Sequence, residues 1–197
     1  HPFSIITKAS LILRDLDLLA EMAADNLCSV AVSVTTLDNN LKRKLEPRTS
    51  GGESRLKTIE ALSTAGIPVT LMVAPVIPFI NDSEIETILE RGKSAGAVSA
   101  NMIYLRLPLE VSPLVQEWLE LHYPDKADHV MSLVRQARGG KDNDSRFYSR
   151  MEGEGAIAET IRQRFNIAAR RLSLPSQHRF KLDCSQFRKG FDQLSLF

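Results

Sequence analysis

The chain has 197 residues, 43% hydrophobic and 25% charged, with a formal net charge of +1, an ordinary globular composition. No run approaches the roughly 20 apolar residues of a membrane-spanning helix, and no basic stretch followed by an apolar core marks a signal peptide. The two cysteines, Cys28 and Cys184, fit no metal-ligand spacing, and such sparse usage suits a reducing cytoplasm.

Taken in order, the first element is a strand over residues 3–7, so the chain opens already inside a strand. A helix over 15–24 follows, with Leu16, Leu19, Met22 and Ala23 on one stripe. A second strand covers 28–35, where Ser33 and Thr35 alternate with Val32 and Val34 and so point to one side of the sheet. A helix over 53–65 carries Leu56, Ile59 and Leu62 and ends at Gly66, a C-terminal cap. Strand 67–75 leads into a loop punctuated by Pro75 and Pro78. Ser83-x-x-Glu86 has the form of a capping box, opening a helix with Ile85, Ile88 and Leu89 that stops near Gly96. A fourth strand spans 98–107. Near-continuous β-branched runs alternating with helices imply a parallel sheet with right-handed crossovers. This is either an open doubly wound sheet or the second part of a barrel, and the strand at residue 3 favours the barrel.

Beyond Pro108, a helix containing Trp118, Leu119 and Leu121 ends at Tyr123-Pro124, and another spans 127–137. A polar link precedes a long helix with Ile157, Ile161, Phe165, Ala168 and Leu172, and an extended tail is expected from Pro175. Charge is uneven: residues 135–189 hold 13 Lys/Arg against 6 Asp/Glu, leaving 12 against 18 elsewhere. A polyanionic partner or a solvated basic surface accounts equally for that excess.

Ligands of parallel α/β folds sit at the carboxyl ends of the strands, which nominates a short set of residues. Lys8 offers a point charge for a carboxylate, a Schiff base, or a solvated strand exit. Ser33 and Thr35 suit a ribose or simply fill a strand. Arg48 clamps a carboxylate or pairs with Glu46, and Arg106 reaches a ligand or pairs with Glu110. The Pro75–Pro78 loop is stiff and suits a flat ring as well as an ordinary turn. Gly51-Gly52 is a weak phosphate signal, and His122 and His129 fall in helices without a nucleophile.

The blocks LEPR, APVIP, LRLPLEV and HVMSLVRQARGG together make the chain resemble the C-terminal two-thirds of a spore-photoproduct-lyase-like radical SAM protein. The resemblance implies a parallel-stranded partial TIM barrel over 1–122, a basic helical extension over 123–175 and an extended tail over 176–197. It implies a [4Fe-4S] cluster whose CxxxCxxC cysteines are expected upstream of His1, with S-adenosyl-L-methionine on the open iron, so that this fragment alone is inactive. By the same resemblance Lys8 lies near the methionine carboxylate, Ser33 near the ribose, and Val76 and Ile77 against the adenine. Thr35, Arg48 and Arg106 complete the expected cofactor-binding set. One position departs: a Gly commonly follows VIP in such sequences, and here Phe79 stands. The implied reaction is generation of a 5′-deoxyadenosyl radical acting on DNA or a nucleobase lesion in a cytoplasmic enzyme.

The terminal QLSLF is similar to a bacterial sliding-clamp-binding peptide. Leu194, Leu196 and Phe197 are its apolar anchors and Gln193 its polar one, unless the tail docks on its own domain. Together with the basic 135–189 segment it suggests work on DNA. The alternatives are a non-catalytic DNA- and clamp-binding module on a barrel scaffold, or an aldolase-like barrel using Lys8.

Overall fold

The computed structural model describes residues 1–143, 146, 149–175 and 182–186. Four strands, β1 (Phe3–Thr7), β2 (Cys28–Ser33), β3 (Val69–Val76) and β4 (Ser99–Tyr104), form one parallel sheet in the order β1-β2-β3-β4. The helices are α1 (Leu16–Ala24), α2 (Asn39–Leu45), α3 (Gly52–Thr64), α4 (Ile85–Ser94), α5 (Val111–His122), α6 (Ala127–Gln136), α7 (Ser149–Glu152) and α8 (Ala156–Arg171).

Sequential order with parallel crossovers of one hand winds the connecting helices onto one face. A doubly wound sheet reverses its order part-way, and this one does not. The side chains carry the same asymmetry. Val30, Val32, Val69, Leu71 and Val73 are buried in one cluster with Leu56, Ile59, Leu62, Ile88 and Leu89 of α3 and α4. Each full burial contributes roughly 1.5–3 kcal/mol. The alternate residues make the other face polar: Ser4 bonds Ser29 at 2.8 Å and Thr70 bonds Ser99 at 2.7 Å, both across paired strands. At Gly92 of α4, a Cβ would stand 2.5 Å from Leu71 Cδ2, so only glycine lets α4 lie this close to β3.

Three local expectations change. β4 ends at Tyr104 rather than at 107, because Leu105 and Leu107 turn into a second cluster with Ile77, Leu119 and Val130. The capping box does not form: Ser83 lies in a 3-10 turn (Asp82–Glu84), and α4 begins without a side-chain cap. Glu86 instead binds Arg164 of α8 at 2.8 Å. Helix α2 has no counterpart in the hydropathy pattern, since seven residues with one buried side chain, Leu41, carry too little periodicity to read.

α8 packs into the main core through Ile161, Phe165, Ala168 and Ala169. Beyond it Leu174 is buried, and Pro175 O accepts from Ala100 N at 3.3 Å, so the chain runs along the free edge of β4. The expected anchors Gln193, Leu194, Leu196 and Phe197 lie outside the described residues. Among the described residues, no helix is long and apolar enough to cross a membrane.

Candidate functional site

The carboxyl ends of β1 and β2 converge on one carboxylate, Glu46, in the turn after α2. Lys8, one residue past β1, forms an ion pair with Glu46 Oε1. Arg55 of α3 donates from Nη2 to Glu46 Oε2 at 2.5 Å. The same guanidinium donates to Ser33 O at 2.9 Å, Ser50 O at 2.8 Å and Thr49 Oγ1 at 2.7 Å, and its side chain is only 2% exposed. Burial alone would raise the Glu46 pKa, but hydrogen bonds from Lys8 and Arg55 outweigh it and hold the carboxyl below its ordinary value.

Ser33 and Thr35 do share a side, since both hydroxyls donate to Ala74 O, at 3.2 and 2.9 Å. They differ in what remains. Thr35 Oγ1 also meets Lys8 Nζ at 3.4 Å, Arg55 Nη1 at 3.3 Å and Glu46 Oε1 at 3.2 Å. Ser33 Oγ has the single bond to Ala74 among the described residues and keeps its lone pairs open. Gly52 lets α3 start against this corner: a Cβ there would lie 2.5 Å from Thr36 O.

The β3 loop is closed on itself. Asn81, 1% exposed, donates to Thr35 O at 2.8 Å and Pro75 O at 2.9 Å and accepts from Ile77 N at 2.7 Å. Glu84 ties the same corner by accepting from Thr36 Oγ1 and from Leu37 N at 2.7 Å. Val76 and Ile77, the expected adenine contacts, are buried, whereas Pro75 near the end of β3 is half-buried and Phe79 in the loop is 53% exposed. Phe79, where the resemblance leads one to expect Gly, adopts φ +63°, the left-handed region that favours glycine. Asp82 Oδ1 accepts from Phe79 N at 2.6 Å, and the ring meets His129 edge-on with centroids 4.7 Å apart.

The sheet end therefore brings Lys8, Ser33 and Thr35 together and leaves Arg48 and Arg106 apart. Arg48 is exposed and does not pair with Glu46, because Lys8 and Arg55 occupy both carboxylate oxygens. Arg106 does not pair with Glu110. Its Nη1 has a 3.8 Å contact with Met151 Sδ, and its Nε is buried without an acceptor. Nearby, the Tyr104 hydroxyl is also buried without a partner, and burial pushes its pKa up to about 12. Arg55 and Asn81 were not singled out from sequence, and Glu46 was named only as a partner for Arg48. Arg55 had a signal, since it stands four residues before Ile59 and seven before Leu62, on the buried stripe of α3.

The residues that could hold an iron–sulfur cluster are not among those described. Among the described residues, no group of three or more His, Cys, Asp or Glu is placed to hold a metal. Cys28 is buried with Sγ bonded to Leu19 O at 3.2 Å, and Cys184 is exposed. The Lys8 ammonium offers a cationic donor and the Ser33 hydroxyl oxygen, its proton given to Ala74 O, offers an acceptor.

Uncharacterized proteins of Mycobacterium tuberculosis (strain H37Rv) and Mycobacterium bovis are each 35% identical to this chain over 137 residues, 68% of this chain and 40% of theirs. An uncharacterized protein of Methanocaldococcus jannaschii is 30% identical over 128 residues, 64% of this chain and 46% of its own. The chain thus spans less than half the length of these curated relatives. Residues 1–92, which contain Lys8, Ser33, Glu46, Arg55 and Asn81, match the model of the Radical SAM superfamily.

Proposed function

We propose that this chain is part of a radical SAM enzyme and that the Lys8–Glu46–Arg55 corner is its S-adenosylmethionine end. The observation that carries the reading is the placement of an exposed-edge ammonium and an open serine hydroxyl at the carboxyl ends of β1 and β2, inside the span matched by the superfamily model. When bound, S-adenosylmethionine at a [4Fe-4S] cluster supplies a 5′-deoxyadenosyl radical by reductive cleavage. The cluster's ligands are assigned to residues outside this chain.

Lys8 binds the methionine carboxylate. Its side chain is 36% exposed, so it can meet a ligand while Glu46 stays neutralised by Arg55. Ser33 accepts from a ribose hydroxyl, and Thr35, already engaged, holds the corner in shape. Pro75 meets the adenine face, with buried Val76 and Ile77 fixing the loop behind it. Arg106 is assigned to an anionic group of cofactor or substrate. A spore-photoproduct-lyase-like reaction on a nucleobase lesion is the substrate reading, supported by the sequence resemblance. The terminal QLSLF is proposed to bind a sliding clamp, and its deletion should abolish clamp affinity measured by calorimetry.

The deciding experiment uses the complete protein, reconstituted anaerobically with iron and sulfide and incubated with S-adenosylmethionine and dithionite. Release of 5′-deoxyadenosine is expected, with Lys8→Ala raising KM for S-adenosylmethionine about tenfold through loss of one charge-assisted hydrogen bond. An intact cluster that releases no 5′-deoxyadenosine overturns the reading.

A further inference from the structure

The cations of this chain fall into two groups, those answered by acids and those left open. Within the basic C-terminal segment, Arg164 holds Glu86 and Asp82, Arg171 holds Glu90, and Arg135 holds Asp142. Arg146 and Arg162 are likewise paired, with Glu154 and with Glu152 and Glu159. These five of that segment's 13 Lys/Arg are therefore paired with acids within the fold.

Among the described residues, one cluster of open cations lies on α2 and its exit, while Arg106 and Arg170 are open singly elsewhere. Lys42, Arg43, Lys44 and Arg48 have, among the described residues, no acidic partner within ion-pair distance. Lys42 Nζ donates to Pro47 O at 3.2 Å, Arg43 to the Asn40 side chain, and Lys44 sits 4.7 Å from the Tyr123 ring centroid. Of the acids nearest in sequence, Glu46 is turned inward, whereas Asp38 lies near enough to Tyr123 to join burial in raising its pKa. Asp38 caps α2 through Asn40 N at 2.7 Å, and Glu46 is bound inward by Lys8 and Arg55. Leu41 and Leu45 pack inward four residues apart, so residues 42–44 fan across the solvent half of the helix.

Aromatic faces adjoin these charges. Trp118 lies 5.5 Å from Tyr123 and 5.5 Å from His122 between ring centroids, and its Nε1 donates to Lys44 O at 3.0 Å. All three rings are half-buried, which leaves part of each to solvent. Glu117 and Glu120 lie one and two residues from Trp118 in α5 and so leave the helix on other faces. Unanswered cations beside partly open aromatic rings are the two ingredients of single-strand binding: charge along the phosphates and a surface on which bases stack.

We propose that α2, the Arg48 turn and the Trp118–Tyr123 rings form a binding surface for single-stranded nucleic acid. Lys42, Arg43, Lys44 and Arg48 meet phosphates and a base stacks at the ring pair. Because α2 ends one residue before Glu46, the bound strand runs past the candidate site. This rests on the nucleic-acid part of the proposed function and not on its cofactor chemistry, so 5′-deoxyadenosine release and strand binding fail separately.

Trp118 is the only tryptophan of the chain, so its fluorescence reports on the surface directly. The test titrates the full chain with a mixed-sequence single-stranded oligonucleotide, a duplex of the same sequence and polyglutamate, at several salt concentrations, following anisotropy and tryptophan emission. The oligonucleotide should bind more tightly than either competitor and quench Trp118. Lys42→Gln/Arg43→Gln/Lys44→Gln should weaken binding at least tenfold and lower the salt slope by about two. Because those residues also complement the C-terminal carbonyls of α2, Arg48→Gln, outside the helix, is the second variant and should weaken binding several-fold. Arg170→Gln, on the far segment, should bind as the parent does. Polyglutamate binding as tightly as the oligonucleotide, equal affinity in the α2 and Arg48 variants, or saturation without quenching each overturns the proposal.

Discussion

Arg55 reaches out of α3 to place Nη2 2.5 Å from Glu46 Oε2 while its own side chain stays 2% exposed. A guanidinium this deep is tolerable only because its donors are answered, here by one carboxylate, two carbonyls and two hydroxyls. Arg55→Gln should lower stability by about 3 kcal/mol, since it strips Glu46 of one partner and leaves Ser33 O and Ser50 O without this donor. Arg55→Lys should not rescue it, because one ammonium cannot span five acceptors arranged around a planar fork. Urea unfolding of the three proteins checks both statements.

The same carboxylate gives a pH dependence of defined sign. The Glu46 pKa is depressed in the folded protein, against the upward push of burial, by hydrogen bonds from Lys8 and Arg55. A depressed carboxyl contributes stability that is complete above its unfolded value, about 4.3, and is lost as pH falls through the folded one. Glu46→Gln should therefore be less stable than the parent at pH 7, with the difference shrinking below about pH 4. Urea midpoints at pH 7, 5 and 3.5 measure it, and a pH-independent gap would show that the Glu46 charge is not what stabilises the corner.

The strands and long helices were legible because their apolar residues repeat at two or at three to four, and that repetition is itself what buries them. Ser33 and Thr35 were placed on one side by alternation, and both do reach Ala74 O. What was not legible depends on contacts between residues distant in sequence. Glu46 meets Lys8 across 38 positions, and Glu84 meets Thr36 across 48. No local period encodes either pairing, nor the Arg164–Glu86 bond that takes the carboxylate of the capping box that Ser83 and Glu86 spell. Val76 and Ile77 were correctly placed at the β3 exit, yet their side chains turn into the core because Asn81 folds the loop over them.

Phe79 occupies a backbone conformation, φ +63°, that costs an ordinary residue about 1–2 kcal/mol. Its ring recovers part of that against His129. Phe79→Ala keeps the strain and loses the ring, whereas Phe79→Gly loses the ring and the strain together. The glycine variant should thus be more stable than the alanine variant by about 1 kcal/mol, read from thermal unfolding. The reverse order would show that the loop is held by chain stiffness rather than by its φ.

Arg106 presents the opposite case to Arg55. Among the described residues, its Nε is buried without an acceptor, its Nη1 touches only the weakly accepting Met151 sulfur at 3.8 Å, and no carboxylate answers its charge. An unanswered, half-buried guanidinium disfavours the folded state, so removing the charge while keeping the stem should not cost stability. Arg106→Met is expected to melt no lower than the parent. The functional counterpart is separable. If the group awaiting Arg106 is an anion of cofactor or substrate, binding it should raise the melting temperature of the parent and much less that of Arg106→Met. A variant that melts several degrees lower would instead make Arg106 a structural residue whose stem, not its charge, packs the β4 exit.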